Sequence, residues 1–110
     1  MAQPPKPLEP SRFVGSVGGK PVSLITLEGG AGVSISICTL GARWLQALIP
    51  NASGLAIDAV LGADSLDGVR DGVLSMGCVI GRYANRIRHA QFSLNGRQWH
   101  LPANEGAHCL

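Results

Sequence analysis

Aromatic residues are scarce in this chain of 110 residues: two Trp, two Phe and one Tyr make up 5%. Proteins that grip single-stranded nucleic acid need several aromatic platforms for base stacking, so that class is disfavoured. Charge of either sign is also thin, with nine Lys plus Arg against seven Asp plus Glu and a net charge of +2. Long-range attraction to a polyanion is not written into such a balance. Apolar runs such as "LSMGCVI" are far too short to span a membrane, and the opening "MAQPPKPLEP" lacks the apolar stretch of a signal peptide. Cysteine is limited to Cys38, Cys78 and Cys109, an odd number spaced too widely for a disulfide framework. The expectation is a soluble, cytoplasmic protein with reduced thiols, which binds neither nucleic acid nor membrane.

Glycine, by contrast, is plentiful at 15 residues. "GSVGGKP", "EGGAG", "NASG", "SLDGVRDG" and "NGR" punctuate the chain at short intervals, and the apolar residues between them alternate instead of recurring at helical spacing. In "GVSISICTL", Val33, Ile35 and Ile37 fall on one face and Ser34, Ser36 and Cys38 on the other, as in a half-buried strand. Residues 21–27 and 42–49 are consistent with strands, "AIDAVL" and "LSMGCVI" with short buried ones, and no segment offers a convincing amphipathic helix. Asn95-Gly96 suits a two-residue type I′ turn, because both positions need positive φ. That turn sets Leu94 opposite Arg97, Phe92 opposite Trp99 and Ala90 opposite Leu101, with Phe92 and Trp99 on the core face and Gln91, Ser93, Gln98 and His100 on the other.

The pattern predicts an all-β antiparallel meander. Residues 1–11, with Pro4, Pro5, Pro7 and Pro10, are expected to be a loose, disordered tail, and residues 12–110 the structured part. Since β-sandwiches commonly need about 200–250 residues, the chain is expected to be the opening part of a larger sandwich.

Several motifs have plain structural readings. "GSVGGKP" is one residue short of a phosphate-binding loop and holds Pro21 where Ser or Thr would bind magnesium, so it is expected to be a hairpin turn. "MGCVIG" is expected to be a tight strand packing site. His89, His100, His108 and Cys109 do not match a structural zinc pattern, and no metal site is expected. Asp64, Asp67 and Asp71 lack calcium-loop spacing and are expected to form turns.

"GRYANRIR", residues 81–88, places Asn85 and Arg86 side by side after an apolar stretch. Neighbouring side chains on a straight strand point to opposite faces, so both can serve one ligand only if the backbone kinks. Together they would present planar donors and one amide acceptor to a neutral, hydroxyl-rich ligand. Alternatively, Asn85 caps a turn and Arg86 covers the sheet edge with its stem.

"GRYANRI", then "FSLNGRQWHLPANEG" and "HCL", resembles the N-terminal block of the aldose 1-epimerases, the galactose mutarotases. "TLGARWLQALIPNASGLAIDAVLGADSLDGV" is similar to the same family's preceding segment, although Ala63 stands where an aromatic is common and Val69 where Tyr is usual. The resemblance implies a large antiparallel β-sandwich (galactose mutarotase-like) with a sugar cleft, and an isomerase that interconverts the α and β anomers of a free aldohexose such as glucose or galactose. It implies no metal or organic cofactor and a small-molecule aldose as partner. Residue by residue, it assigns Asn85 and Arg86 to hydrogen bonding with sugar hydroxyls, with Gly81 and Ala84 small so that the backbone can bend. The family's "LHGG" histidine, general-acid His and general-base Glu lie beyond Leu110, and His108 is not the box histidine. No catalytic residue is therefore expected in this chain, which should be inactive by itself. A non-catalytic carbohydrate-binding β module and a purely structural β domain are the alternatives.

Overall fold

The computed structural model describes residues 4–72 and 75–110. It divides into two units, Met1–Val79 and Ile80–Leu110. In the first, strands β1 (Gly15–Val17) and β2 (Lys20–Val22) form an antiparallel hairpin. Gly18 and Gly19 turn it at φ 57° and 75°, the left-handed conformations that a type I′ turn demands and glycine accepts without strain. The hairpin expected for "GSVGGKP" is thus present.

Four further strands, β3 (Leu24–Glu28), β4 (Ser34–Cys38), β5 (Arg43–Pro50) and β6 (Ala56–Asp58), pair antiparallel in chain order. Between β4 and β5, Ile37 pairs with Trp44 and Ser36 with Gln46, leaving Leu45 as the extra residue of a β-bulge. Leu45 is 2% exposed and belongs to the core with Phe13, Val22, Cys38, Leu66 and Val69.

Strand β4 alternates as the sequence predicts, yet its more buried side carries Ser36 and Cys38, at 3% and 0% exposure. That side meets the core, with Leu8 packed against it. The polar groups there are paired: the hydroxyls of Ser36 and Thr26 lie 3.3 Å apart. Gln46 Oε1 accepts from the Leu8 amide at 3.1 Å, while its Nε2 donates to Lys6 O at 3.0 Å and Asp58 Oδ2 at 3.2 Å. A buried amide so satisfied avoids the desolvation penalty of an orphaned polar group. The opposite side of the sheet brings Ile25, Ile37 and Trp44 together across the ladder, then Leu27 with Ile35, and Ile49 with Ile57. Ile25, Leu27, Trp44, Ile49 and Ile57 remain substantially exposed.

The loose tail expected at the N-terminus covers residues 1–3, outside the described residues, and a stretch that Gln46 ties at Lys6 and Leu8. A 3-10 turn, Pro10–Phe13, follows and places Phe13 in the core.

Several sequence expectations give way. "SLDGVRDG" contains a helix, α1 (Leu66–Asp71), where none was anticipated. Ser65 caps it, accepting from the Gly68 amide at 3.3 Å, and Leu66 and Val69, three residues apart on one face, are buried. Asp64, Asp67 and Asp71 form ion pairs instead of turns, Asp64 with Arg12 and the other two with Arg70. Of "LSMGCVI", Leu74 lies outside the described residues and residues 75–80 contain no strand, with Val79 and Ile80 exposed. "AIDAVL" is strand only at Ala56–Asp58, and it is not buried: Leu61 is 77% exposed.

In the second unit, β7 (Gln91–Leu94) and β8 (Arg97–His100) form the expected hairpin about Asn95 (φ 51°) and Gly96 (φ 73°). Its register matches the prediction at Leu94–Arg97 and Phe92–Trp99, and the Leu101 amide donates to Ala90 O at 2.8 Å. The Arg97 guanidinium lies 4.3 Å from the centre of the Trp99 ring, a cation–π contact. On the other face Ser93 Oγ donates to Gln98 Oε1 at 3.0 Å. Phe92 and Trp99, expected in a core, are about two-fifths exposed, at 38% and 40%. Among the described residues no helix is long and apolar enough to cross a membrane.

Candidate functional site

The segment before β7 is irregular, not a strand with a kink. It is held by single bridges. Ile87 exchanges backbone hydrogen bonds with Cys109 at 2.8 and 3.1 Å, and Glu105 does so with His108 at 3.1 and 3.0 Å. Asn104 secures the end of the same loop, its Nδ2 donating to Leu110 O at 2.9 Å and its Oδ1 accepting from the Leu110 amide at 2.8 Å. His108 Nδ1 accepts from the His89 amide at 3.1 Å, so this histidine supports the backbone. Cys109, buried, points its thiol toward the Tyr83 hydroxyl at 3.7 Å, and this contact raises the Tyr83 pKa.

Asn85 adopts φ 63°, a left-handed conformation that Asn tolerates better than most residues. The backbone therefore departs from a straight strand at Asn85. Asn85 Oδ1 accepts from the Arg86 amide at 2.7 Å. Its carbonyl end is thus turned to its own backbone, and its NH2 end has no partner among the described residues.

Arg86 meets Glu105 through both carboxylate oxygens. Nη2 donates to Oε1 at 2.5 Å, and Nε makes an ion contact with Oε2. Hydrogen bonding and charge from Arg86 lower the Glu105 pKa, and Glu105 in turn raises that of Arg86. Nη1 has no partner among the described residues. The predicted pair thus presents N–H donors, while the acceptor expected from Asn85 is already engaged. A Cβ added at Gly81 would meet nothing within 4 Å, so space alone does not require glycine there.

Glu105 and Asn104 were not singled out in the sequence. Nineteen positions separate Glu105 from Arg86, and only the turn that pairs Glu105 with His108, followed by the bridge from Cys109 to Ile87, brings them together. A cavity of about 440 Å³ lies elsewhere, in the first unit, lined by Trp44, Val60, Gly77, Cys78 and Val79. That lining is chiefly apolar and includes neither Asn85 nor Arg86. No cluster of three or more His, Cys, Asp or Glu suited to a metal occurs among the described residues.

The class these features define is an antiparallel β protein carrying hydrogen-bond donors on a bent, irregular segment. A family model described as aldose 1-epimerase matches residues 23–110. Over 92 residues the chain is 35% identical to the aldose 1-epimerase of Escherichia coli (strain K12), covering 84% of this chain and 27% of that protein. It is 33% identical over 78 residues to galactose mutarotase of Mus musculus, covering 71% of this chain and 23% of the relative. A solved aldose epimerase homologue from C. elegans superposes with a TM-score of 0.70 at 29% identity, covering 81% of this chain and 27% of that one. The galactose 1-epimerase structure from Lactobacillus acidophilus NCFM shares the fold, also with a TM-score of 0.70, at 24% identity over 89% of this chain and 28% of its own.

The chain belongs to the aldose 1-epimerase family, and its fold is that family's antiparallel β fold. It spans about a quarter of the length of the curated relatives it matches, 27% for the E. coli protein.

Proposed function

We propose that residues 12–110 are the N-terminal part of an aldose 1-epimerase β-sandwich and that Asn85 and Arg86 bind the hydroxyl groups of a free aldohexose. The reaction interconverts α and β anomers: a base removes the anomeric hydroxyl proton, an acid protonates the ring oxygen, and the ring opens, turns about C1–C2 and recloses. In that scheme this chain's contribution is positioning. Asn85 Nδ2 and Arg86 Nη1 donate to sugar oxygens and hold the anomeric centre where acid and base can act. Proton transfer is assigned in this reading to residues of the whole enzyme outside this segment, and no cofactor enters.

The observation that carries this reading is the family match across residues 23–110, supported by the positive φ at Asn85, a departure from straight strand geometry of the kind this reading requires. Titration of the chain with galactose, followed by amide and side-chain NMR, is expected to shift Asn85 Nδ2 and Arg86 resonances saturably. Arg86→Ala is expected to abolish the shift. Saturable binding that persists in Arg86→Ala, or none in the wild type, would count against the sugar site. By polarimetry, the chain alone should not speed glucose mutarotation above the buffer rate.

A further inference from the structure

We infer that Glu105 is a specificity-determining residue of the Asn85–Arg86 site, occupying one edge of the Arg86 fork so that the site takes uncharged sugars in preference to anionic ones. This rests on the sugar-binding reading above. From Ile80 to Leu110 the chain contains four arginines, Arg82, Arg86, Arg88 and Arg97, and one acidic residue, Glu105. Of these arginines, Arg86 is the one paired with that carboxylate among the described residues. Two constraints deliver the carboxylate there: the backbone exchange between Glu105 and His108, and the bridge from Cys109 to Ile87, the neighbour of Arg86.

An unpaired arginine is a preferred partner of phosphate and carboxylate, because two parallel N–H groups match two oxygens. Here the Nε–Nη2 edge already faces a carboxylate. An arriving anion would have to displace Glu105 or sit beside a like charge, which disfavours it. A neutral hydroxyl needs only single donors, such as Nη1 and Asn85 Nδ2. Glu105 therefore leaves hydrogen bonding available while withdrawing the net charge.

The test measures dissociation constants of the full chain for D-galactose and D-galactose 6-phosphate at low salt, for the wild type, Glu105→Gln and Glu105→Asp. Retained dispersion of the β7–β8 amide resonances monitors folding. Glu105→Gln is expected to shift the affinity ratio about tenfold toward the phosphate, an effect that fades as salt screens the exposed charge. Glu105→Asp, which keeps the charge, is expected to retain the wild-type preference. Without any variant, wild-type binding of the phosphate should depend only weakly on salt. An unmoved ratio in Glu105→Gln, or a steep salt dependence in the wild type, would overturn the role of Glu105 while leaving galactose binding intact. Failure of the wild type to bind galactose would instead overturn the sugar reading, and the specificity role with it.

Discussion

The two units are built on different physical terms. Up to Val79, a cluster of Phe13, Val22, Cys38, Leu45, Leu66 and Val69 leaves water, and the sheet, hairpin and helix α1 are arranged around it. From Ile80 onward the buried apolar residues are Ala90 and Cys109. There the chain is held by a tight turn, two backbone bridges, the Asn104 clamp and the Arg86–Glu105 pair. The difference separates roles: non-directional burial supports the scaffold, whereas directional polar contacts set the orientation of the donors.

The contrast can be broken most forcefully at Phe13, which is 0% exposed. Phe13→Ala should destabilise the first unit by about 3–5 kcal/mol, seen as a lower urea midpoint followed by Trp44 fluorescence in a Trp99→Phe background. Next comes Gly77, where φ is +71° and a Cβ would lie 2.1 Å from Trp44 O. Gly77→Ala should cost about 1–3 kcal/mol through backbone strain, measured by the same unfolding curve. In the second unit, Asn104→Ala removes two hydrogen bonds and should cost about 1 kcal/mol. Hydrogen exchange at the Ile87, Cys109 and Leu110 amides should accelerate while amides of β4 and β5 keep their protection.

The smallest expected effect is that of acid on Glu105. Its folded pKa lies below the ordinary value of 4.5, so the unfolded chain takes up this proton first as pH falls. The contribution of the pair is complete above that ordinary value and is lost as pH drops through the lower folded value. An NMR titration should show the Arg86 Nε resonance moving with the Glu105 carboxyl; an Arg86 signal that stays constant throughout would show that the pair does not form.

Both hairpins were legible because glycine and asparagine at their turns announce positive φ, and a two-residue loop then dictates register. Asn85 and Arg86 stood out for a similar local reason, as adjacent polar groups after an apolar run. Helix α1 escaped notice because six residues are too few to display helical periodicity, and its cap at Ser65 sits in a stretch that also looks like a turn. The inward side of β4 could not be read from its alternation: hydrogen bonding of Ser36 to Thr26 on the neighbouring strand, and of nearby Gln46 to the remote Lys6 and Leu8, makes a polar interior tolerable. Glu105 was invisible for want of any local spacing that links it to Arg86.

The outward isoleucines of β3 to β6 carry a consequence for handling the protein. Adhesion through such a face is driven near room temperature by release of ordered water, so it strengthens with modest warming, and sulfate strengthens it further. Solutions of this chain should accordingly turn cloudy on gentle heating and clear again on chilling, with the onset lowered by ammonium sulfate.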